Sequence, residues 1–326
     1  MIAGLCLFCF LTPGFMKGQS TSMPGTVMSV LKTNNNSIGR QDMPPPEKDT
    51  SRINKGRLTG VLAAQGALYL GSLTGLYFAW YKDYPQSSFH FFNDGNEWMQ
   101  VDKIGHTTTA FYISRIGYST YRWAGMKEKQ AAWYGGLLGF AYLLNIEILD
   151  GFSAEWGFSP YDLAANALGS MIFISQQLAW HEQRFVFKYS FHQTSYAQYR
   201  PDLLGNNLIQ NVLKDYNGQS YWISGNIYSF LSKGSKFPKW LNVAFGYGAE
   251  GMTGASNNSY NKNGQQIPQF DRYRKFYLSV DVDLTRIPTK SGFLRSLFTV
   301  LSFIKIPAPS LEYNTLGQLK FHPFYF

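Results

Sequence analysis

The chain reads DKIGH at residues 102–106, EILDG at residues 147–151 and GFSPYDLAANALG at residues 157–169. Each segment holds two polar side chains three or four positions apart: Asp102 and His106, Glu147 and Asp150, Asp162 and Asn166. Residues at that spacing lie on the same face of a helix. Three such helices packed together would bring all six groups to one place, and the sequence therefore predicts a site there.

Around these segments the apolar pattern predicts a group of about four helices. They cover residues 57–82, 99–126, 127–150 and 160–180. The first is nearly apolar over about 23 residues, which is long enough to span a bilayer, so a lipid-facing and a buried helix fit equally well. Its small residues are expected to allow close contact with another helix. These are Gly60, Ala64, Gly71 and Gly75.

Glycines and capping residues mark the third and fourth predicted helices. Gly135, Gly136 and Gly139 lie within the third helix, where each costs ~1 kcal/mol relative to alanine. This concentration predicts that another backbone packs closely there. Ser159 is a natural N-cap for the fourth helix, because Pro160 and an acidic residue in the first turn follow it.

After Glu182 the pattern changes to short alternating runs that are typical of strands. Residues 275–284, for example, place Phe276, Leu278 and Val280 on one side and polar residues on the other. About four to six strands are recognisable, which is short of the roughly eight that a closed membrane barrel needs. We therefore expect an α+β fold, in which a bundle of about four helices precedes a small aromatic-rich antiparallel β region. The sheet is expected to pack on the helices or to lie at a membrane surface.

The domain organisation follows from these changes in composition. Residues 1–18 resemble a signal segment, although a short membrane anchor is the alternative, and residues 19–54 form a polar linker. Residues 55–185 are the helical domain, and residues 186–326 are the β-rich region. The chain has two cysteines, Cys6 and Cys9, and neither follows a convincing lipobox. Removal of the first segment would leave a chain without thiols, which suits an oxidising envelope compartment.

The composition favours a membrane surface over nucleic acid as the partner. Aromatic residues make up 17% of the chain and charged residues only 15%, and the net charge is +9. Amphipathic rings suit lipid interfaces, and spread positive charge suits an anionic membrane. No recognition helix or stacking motif is visible, so we expect no nucleic-acid partner. A membrane or outer-membrane surface and another envelope protein are the expected partners.

The polar cluster has three possible roles, as a cation site, a catalytic site or a structural network. The sequence leaves open whether the protein is an enzyme. The sequence leaves the cofactor open, and one candidate is a divalent cation held by His106, Glu147 and Asp150. The cluster as a whole is rich in hard oxygen ligands, which suit Mg²⁺, Ca²⁺ or Mn²⁺, and with a single histidine it suits Zn²⁺ less well. Alternatively, His106 with Asp102 and Glu147 could perform acid–base catalysis on an ester or phosphoester. The third interpretation is a buried structural network. The full cluster is Asp102, Lys103, His106, Glu147, Asp150, Ser159, Asp162 and Asn166.

The order and spacing of the three motifs carry a resemblance over about residues 99–180. They resemble the YfiM-type family, a group of predicted bacterial periplasmic lipoproteins of unknown function, and are more distantly similar to VanZ-like membrane proteins. The resemblance implies a location in the cell envelope and supplies no reaction.

Three functions follow as alternatives. The first is an envelope protein on the periplasmic side of the outer membrane, whose helical domain is membrane-associated and whose β tail contacts lipid or a partner. The second is an envelope hydrolase or transferase acting on a lipid or glycan phosphate. The third is a small transporter, for which the helical domain would be integral to the membrane.

Overall fold

The protein is described here by a computed structural model that covers residues 52–82, 85–232, 234–259, 261–262 and 265–325. The predicted signal-like segment and residues 19–51 of the predicted linker lie outside the described residues. Helices dominate the first half and an antiparallel sheet the second half, so the predicted α+β class is confirmed.

The described residues form seven α-helices longer than a single turn, so the predicted count of about four is wrong. They are α1 (Lys55–Leu76), α2 (Val101–Trp123), α3 (Glu128–Gly136), α4 (Leu138–Asp150), α5 (Pro160–Trp180), α6 (Leu208–Lys214) and α7 (Gly292–Leu301). The difference arises because the third predicted helix is divided into α3 and α4, and because two short helices interrupt the β-rich region.

The division falls at Leu137, among the glycines noted in the sequence. A Cβ added at Gly135 would lie 2.3 Å from the backbone nitrogen of Tyr118, and one added at Gly139 would lie 2.1 Å from the carbonyl oxygen of Ala110. The backbone of α2 thus passes directly against both helices, as predicted. Glycines that permit this approach also weaken helix continuity.

A left-handed turn precedes α2, which therefore starts later than predicted. Trp98, Met99 and Gln100 have φ values of 47°, 50° and 65°, a region that costs roughly 1–2 kcal/mol per residue for L-amino acids. The β region holds this turn in place. The Tyr247 hydroxyl donates to the Met99 carbonyl at 2.5 Å, and the Arg274 guanidinium donates to the Gln100 side chain at 2.7 Å.

The described residues that follow form eight strands in two antiparallel sheets. They are β1 (Phe185–Phe191), β2 (Gln219–Asn226), β3 (Leu241–Glu250), β4 (Asn261–Lys262), β5 (Gln265–Gln266), β6 (Tyr273–Val282), β7 (Ala308–Asn314) and β8 (Leu319–Tyr325). The larger sheet has six strands in the order β1-β2-β3-β6-β7-β8, and β4 pairs with β5 in a two-stranded sheet. The predicted strand at residues 275–284 corresponds to β6.

The sheet packs on the helices through its first two strands. Phe111 and Tyr112 of α2 share a buried core with Phe173 of α5, Phe187 of β1 and Tyr221 of β2. The rings of Phe111 and Phe187 meet edge to face, with centroids 5.2 Å apart. This is one of the two placements expected for the sheet, and it leaves β6 to β8 beyond the helical surface.

Helix α1 packs loosely on the rest of the protein. Among its 22 residues only Val61 and Leu76 are buried. A Cβ added at Gly60, Gly71 or Gly75 would meet nothing within 4 Å. The close contact predicted for these small positions is therefore not formed among the described residues.

One helical stretch in the described part of the chain, Glu128–Asp150, is long and apolar enough to cross a membrane by length and composition. It comprises α3 and α4, and 39% of its most apolar window is buried against the rest of the protein. Core helices of soluble proteins share this composition, so the stretch by itself is weak support for a membrane span.

Candidate functional site

The three motifs converge where the first turns of α2 and α5 meet the last turn of α4. Ser159 caps α5 as predicted, with its hydroxyl oxygen accepting from the backbone N–H of Asp162 at 3.0 Å. The positive ends of α2 and α5 therefore face the carboxylates in their first turns, an arrangement that stabilises negative charge.

Lys103 forms one half of the site. Its ammonium nitrogen lies 2.6 Å from Asp94 Oδ2, 2.9 Å from Asp102 Oδ2 and 2.9 Å from Asp162 Oδ1. The Ser159 hydroxyl donates to the remaining oxygen of Asp94. The lysine side chain is only 12% exposed, so these three contacts replace nearly all of the water that the ammonium would otherwise bind.

His106 forms the other half. Its Nδ1 lies 2.9 Å from Asn166 Oδ1 and 3.6 Å from Glu147 Oε1, while its Nε2 lies 3.4 Å from Asp162 Oδ1. All four side chains are buried. With Nδ1 donating to the amide oxygen, the Nε2 lone pair faces Asp162, whose Oδ1 also contacts the Lys103 ammonium.

Glu147 is the least satisfied member of the cluster. Its Oε2 accepts a long hydrogen bond of 3.4 Å from the backbone N–H of Ser159. Its Oε1 is buried and has no hydrogen-bond partner in the described part of the chain. A carboxylate near the C-terminal end of α4 also faces the negative end of the helix dipole. The surroundings of Glu147 therefore favour either a proton or a cation.

Asp150 contacts Tyr81 and lies outside the groups of described residues that could bind a metal ion. The Tyr81 hydroxyl, from the π-helical turn after α1, donates to Asp150 Oδ1 at 2.5 Å. Asp150 is absent from the groups of described residues whose ligand atoms lie within 4.8 Å of one another. Of the predicted cation ligands, the structure thus brings His106 and Glu147 together and adds Asp162 in place of Asp150.

Burial controls the protonation of the acids. It raises the pKa of Glu147 to about 9, with a further contribution from the charges of Asp162 and Asp150. It also raises the pKa of Asp162 to about 7, although the Lys103 ammonium opposes the shift. Asp94 behaves in the opposite way, since hydrogen bonds from Asp162, Lys103 and Ser159 outweigh its burial and hold its pKa below the usual value.

The pKa values of the two bases, His106 and Lys103, shift in opposite directions. Burial lowers the pKa of His106 to about 3, although the charge of Asp102 opposes it. For Lys103 the nearby carboxylates, led by Asp102, outweigh burial and raise its pKa. Near neutral pH the site therefore holds a neutral imidazole beside a permanent ammonium. Shifted pKa values of this kind are typical both of functional sites and of buried structural networks.

Two groups of described residues could bind a metal ion with ligand atoms within 4.8 Å of one another. One is His106, Glu147 and Asp162, and the other is Asp94, Asp102 and Asp162. The second group already surrounds the Lys103 ammonium. The first group has no such cation at its centre, and it is the better candidate for a metal.

Sequence reasoning missed two members of the site, Asp94 and Tyr81. Asp94 lies in the Asn93-Asp94-Gly95 segment, which reads as a turn, and the left-handed turn at residues 98–100 separates it from Lys103 along the chain. Tyr81 reads as an interfacial aromatic at the end of α1. No local signal in the sequence distinguishes either role, because each depends on a contact between distant parts of the chain.

The fold and site define an α+β protein with a buried ionisable cluster between helices. Residues 90–175 match the family described as "Predicted periplasmic lipoprotein (DUF2279)". This region contains His106, Glu147 and Asp162. The match supports an envelope protein on the periplasmic side with membrane association, in agreement with the resemblance to predicted periplasmic lipoproteins. No curated protein and no solved structure matches the chain.

Proposed function

We propose that this chain is a membrane-associated protein of the outer membrane's periplasmic side, with the outward face of its sheet in contact with lipid. The observation that carries the proposal is the reversed polarity of the six-stranded sheet, which is apolar outside and charged inside. We also propose that the chain is related to the YfiM-type proteins and more distantly to the VanZ-like proteins. This relationship is supported by the three spaced motifs.

The outward face is the one whose Phe187 packs on the helices at β1, and beyond that contact it presents a continuous apolar row across five strands. Neighbouring members of the row are paired in register from β2 to β8. The row consists of Ile223, Phe245, Leu278, Leu311 and Phe321, which are between 41% and 67% exposed. An apolar patch of this breadth marks an interaction surface, because isolated soluble proteins rarely expose one.

The inward face carries charges instead. Lys188 of β1 and Asp281 of β6 form a salt bridge of 3.1 Å with both side chains at most 1% exposed. Tyr325 of β8 hydrogen-bonds Ser220 of β2 at 3.1 Å. These strands are not neighbours in the sheet, so the sheet must roll to bring them together. Strands that alternate apolar outside and polar inside are typical of β structure in outer membranes.

Helix α7 adds a second apolar surface. None of its residues is buried, and Phe293, Leu294 and Leu297 are exposed at 75%, 39% and 36%. Arg295 lies on the same helix and Lys290 just before it. A short helix with exposed apolar residues and nearby basic groups suits the interface of an anionic membrane. Lipid therefore explains two separate surfaces, whereas a protein partner would have to cover both.

The two other functions suggested by the sequence receive less support. A hydrolase or transferase needs its reactive groups to touch a lipid or glycan phosphate, yet the side chains of His106 and Glu147 are only 7% and 2% exposed. A large substrate could reach them only after the helices separate. No observation in the described part of the chain favours a transporter.

Vesicle flotation tests the proposal. The purified chain is reconstituted with vesicles that contain phosphatidylglycerol, and we expect it to float with the lipid. The double variant Phe245→Gln with Leu278→Gln removes two neighbouring side chains of the apolar row. Since each contributes about 1.5–3 kcal/mol in an apolar environment, partitioning should fall about 100-fold or more.

The control is Leu208→Gln with Ile209→Gln in α6, where two side chains at 60% and 74% exposure lie outside the sheet. It should float like the original protein. The proposal fails if the original protein stays in the aqueous fraction, or if the sheet variant floats as well as the control.

A further inference from the structure

The buried cluster contains more negative charge than its one lysine can balance. Asp94, Asp102, Asp162 and Glu147 supply four carboxylates, and Lys103 supplies one ammonium. The ammonium contacts the three aspartates but not Glu147. Burying unpaired carboxylates is costly, so the folded protein needs either protons or another cation on the side of the cluster where Glu147 lies.

The geometry on that side suits a cation. His106, Glu147 and Asp162 each offer one ligand atom, and these atoms lie within 4.8 Å of one another. His106 Nε2 and Asp162 Oδ1 are 3.4 Å apart, close to the ~3.3 Å that separates two ligands of a tetrahedral Zn²⁺ with bonds of about 2.0–2.1 Å. The Glu147 carboxylate lies on the Nδ1 side of the ring, at 3.6 Å, so its side chain must shift towards Nε2 to join the same ion.

An unpartnered atom points to the same place independently. Glu147 is 1% exposed, and its Oε1 lacks a hydrogen-bond partner in the described residues although it lies 3.6 Å from His106 Nδ1. Native proteins leave few buried polar atoms unsatisfied, and a bound ion is one explanation for such an atom.

The neighbours of these three residues resemble the supporting shell of a metal site. Ligating histidines usually donate their second ring N–H to an oxygen that fixes the ring, and the Asn166 amide oxygen lies 2.9 Å from His106 Nδ1. The Lys103 ammonium lies 2.9 Å from Asp162 Oδ1 and the Ser159 backbone N–H lies 3.4 Å from Glu147 Oε2. Every candidate ligand thus has one group that orients it.

We propose that His106, Glu147 and Asp162 bind one divalent transition-metal ion, Zn²⁺ or Mn²⁺. One imidazole nitrogen with two carboxylates suits these ions, whereas Mg²⁺ and Ca²⁺ prefer oxygen ligands alone. Asn166 and Lys103 are positioning residues, and the ion joins α2, α4 and α5. This site is independent of the proposed contact between the sheet and lipid.

Metal analysis of the untagged full-length protein tests the proposal. The protein is stripped with EDTA, given Zn²⁺ or Mn²⁺ alone and freed of excess ion by gel filtration. Elemental analysis should then find about one ion per chain, and competition with a chelator gives its Kd. Binding of Mn²⁺ should also change the electron paramagnetic resonance spectrum of the ion.

Four variants separate this site from other acidic groups. Glu147→Gln and Asp162→Asn each remove a ligand and should weaken binding about 100-fold or more, and Asn166→Ala should weaken it about 10- to 100-fold. Asp150→Asn is the matched control, because this acid lies on the same helix as Glu147 but contacts Tyr81, and it should bind like the original protein.

The proposal is overturned if the original protein binds neither ion stoichiometrically, which can be measured without any variant. It is also overturned if a folded Glu147→Gln protein retains full affinity, or if Asp150→Asn loses as much affinity as the ligand variants. Circular dichroism establishes that each variant is folded. The flotation experiment has a different readout, so failure of one proposal does not affect the other.

Discussion

Replacing Glu147 by glutamine should change how the stability of the metal-free protein depends on pH. The glutamine keeps the shape of the side chain and removes its ionisation. Burial raises the pKa of Glu147 from 4.5 to about 9 in the folded protein, whereas the unfolded chain retains a value close to 4.5. The folded state therefore binds this proton more tightly than the unfolded state does.

The direction and size of the effect follow from linkage. A raised pKa gives stability that is fully present below pH 4.5 and is lost as the pH rises towards about 9. Between pH 4.5 and pH 7 the loss amounts to 2.5 pH units, and at about 1.4 kcal/mol per unit this is about 3 kcal/mol. Glu147→Gln should lack this component.

The assay is urea unfolding in detergent with EDTA present, followed by circular dichroism from pH 4.5 to pH 8. Other buried acids contribute to both proteins, so the informative quantity is the difference between their free energies of unfolding. That difference should move in favour of the variant by about 3 kcal/mol as the pH rises from 4.5 to 7. Parallel curves for the two proteins would show that the folded state does not bind the Glu147 proton more tightly than the unfolded state does.

Three further substitutions probe the packing around the site. Lys103→Met leaves buried carboxylates without their cation and should cost about 3–5 kcal/mol in urea unfolding, whereas the exposed Lys129→Met should change stability by less than about 0.5 kcal/mol. Gly139→Ala forces a Cβ to within 2.1 Å of the α2 backbone and should lower the melting temperature. In the control Gly60→Ala the added Cβ has no atom within 4 Å, so the variant should melt at a slightly higher temperature because alanine has the higher helix propensity. Ser159→Ala removes the α5 cap and should cost about 1–2 kcal/mol in the same unfolding measurement; an unchanged midpoint would contradict this.

Local sequence signals predicted the parts of the site that depend on helix geometry. The spacing of Asp102 and His106, and of Asp162 and Asn166, places each pair on one helix face, and Ser159 begins α5 as its type and position indicate. The glycines of α3 and α4 showed where another backbone approaches. These features need only the periodicity and the steric properties of neighbouring residues.

The remaining features depend on contacts that no local pattern records. The left-handed turn at Trp98, Met99 and Gln100 uses residue types that rarely adopt positive φ, and it is held by hydrogen bonds from Tyr247 and Arg274. The turn lies between Asp94 and Lys103, whose side chains form a salt bridge of 2.6 Å. The sequence also did not predict that Asp150 and Glu147 have different partners. The two acids lie at the same end of α4, but Asp150 contacts Tyr81 and Glu147 contacts His106.

The first strand of the sheet has a consequence for the order in which the chain folds. One edge of β1 pairs with β2, and its other side is bound by the segment after α7, where the Tyr189 N–H donates to Phe303 and the Lys305 N–H donates to Tyr189. The contacts among α2 to α5 lie within residues 101–180, but this closure must wait for residues more than a hundred positions later. Long-range closures of this kind are slow. During synthesis the helices can therefore assemble around the ionisable cluster well before the core that they share with the sheet is complete.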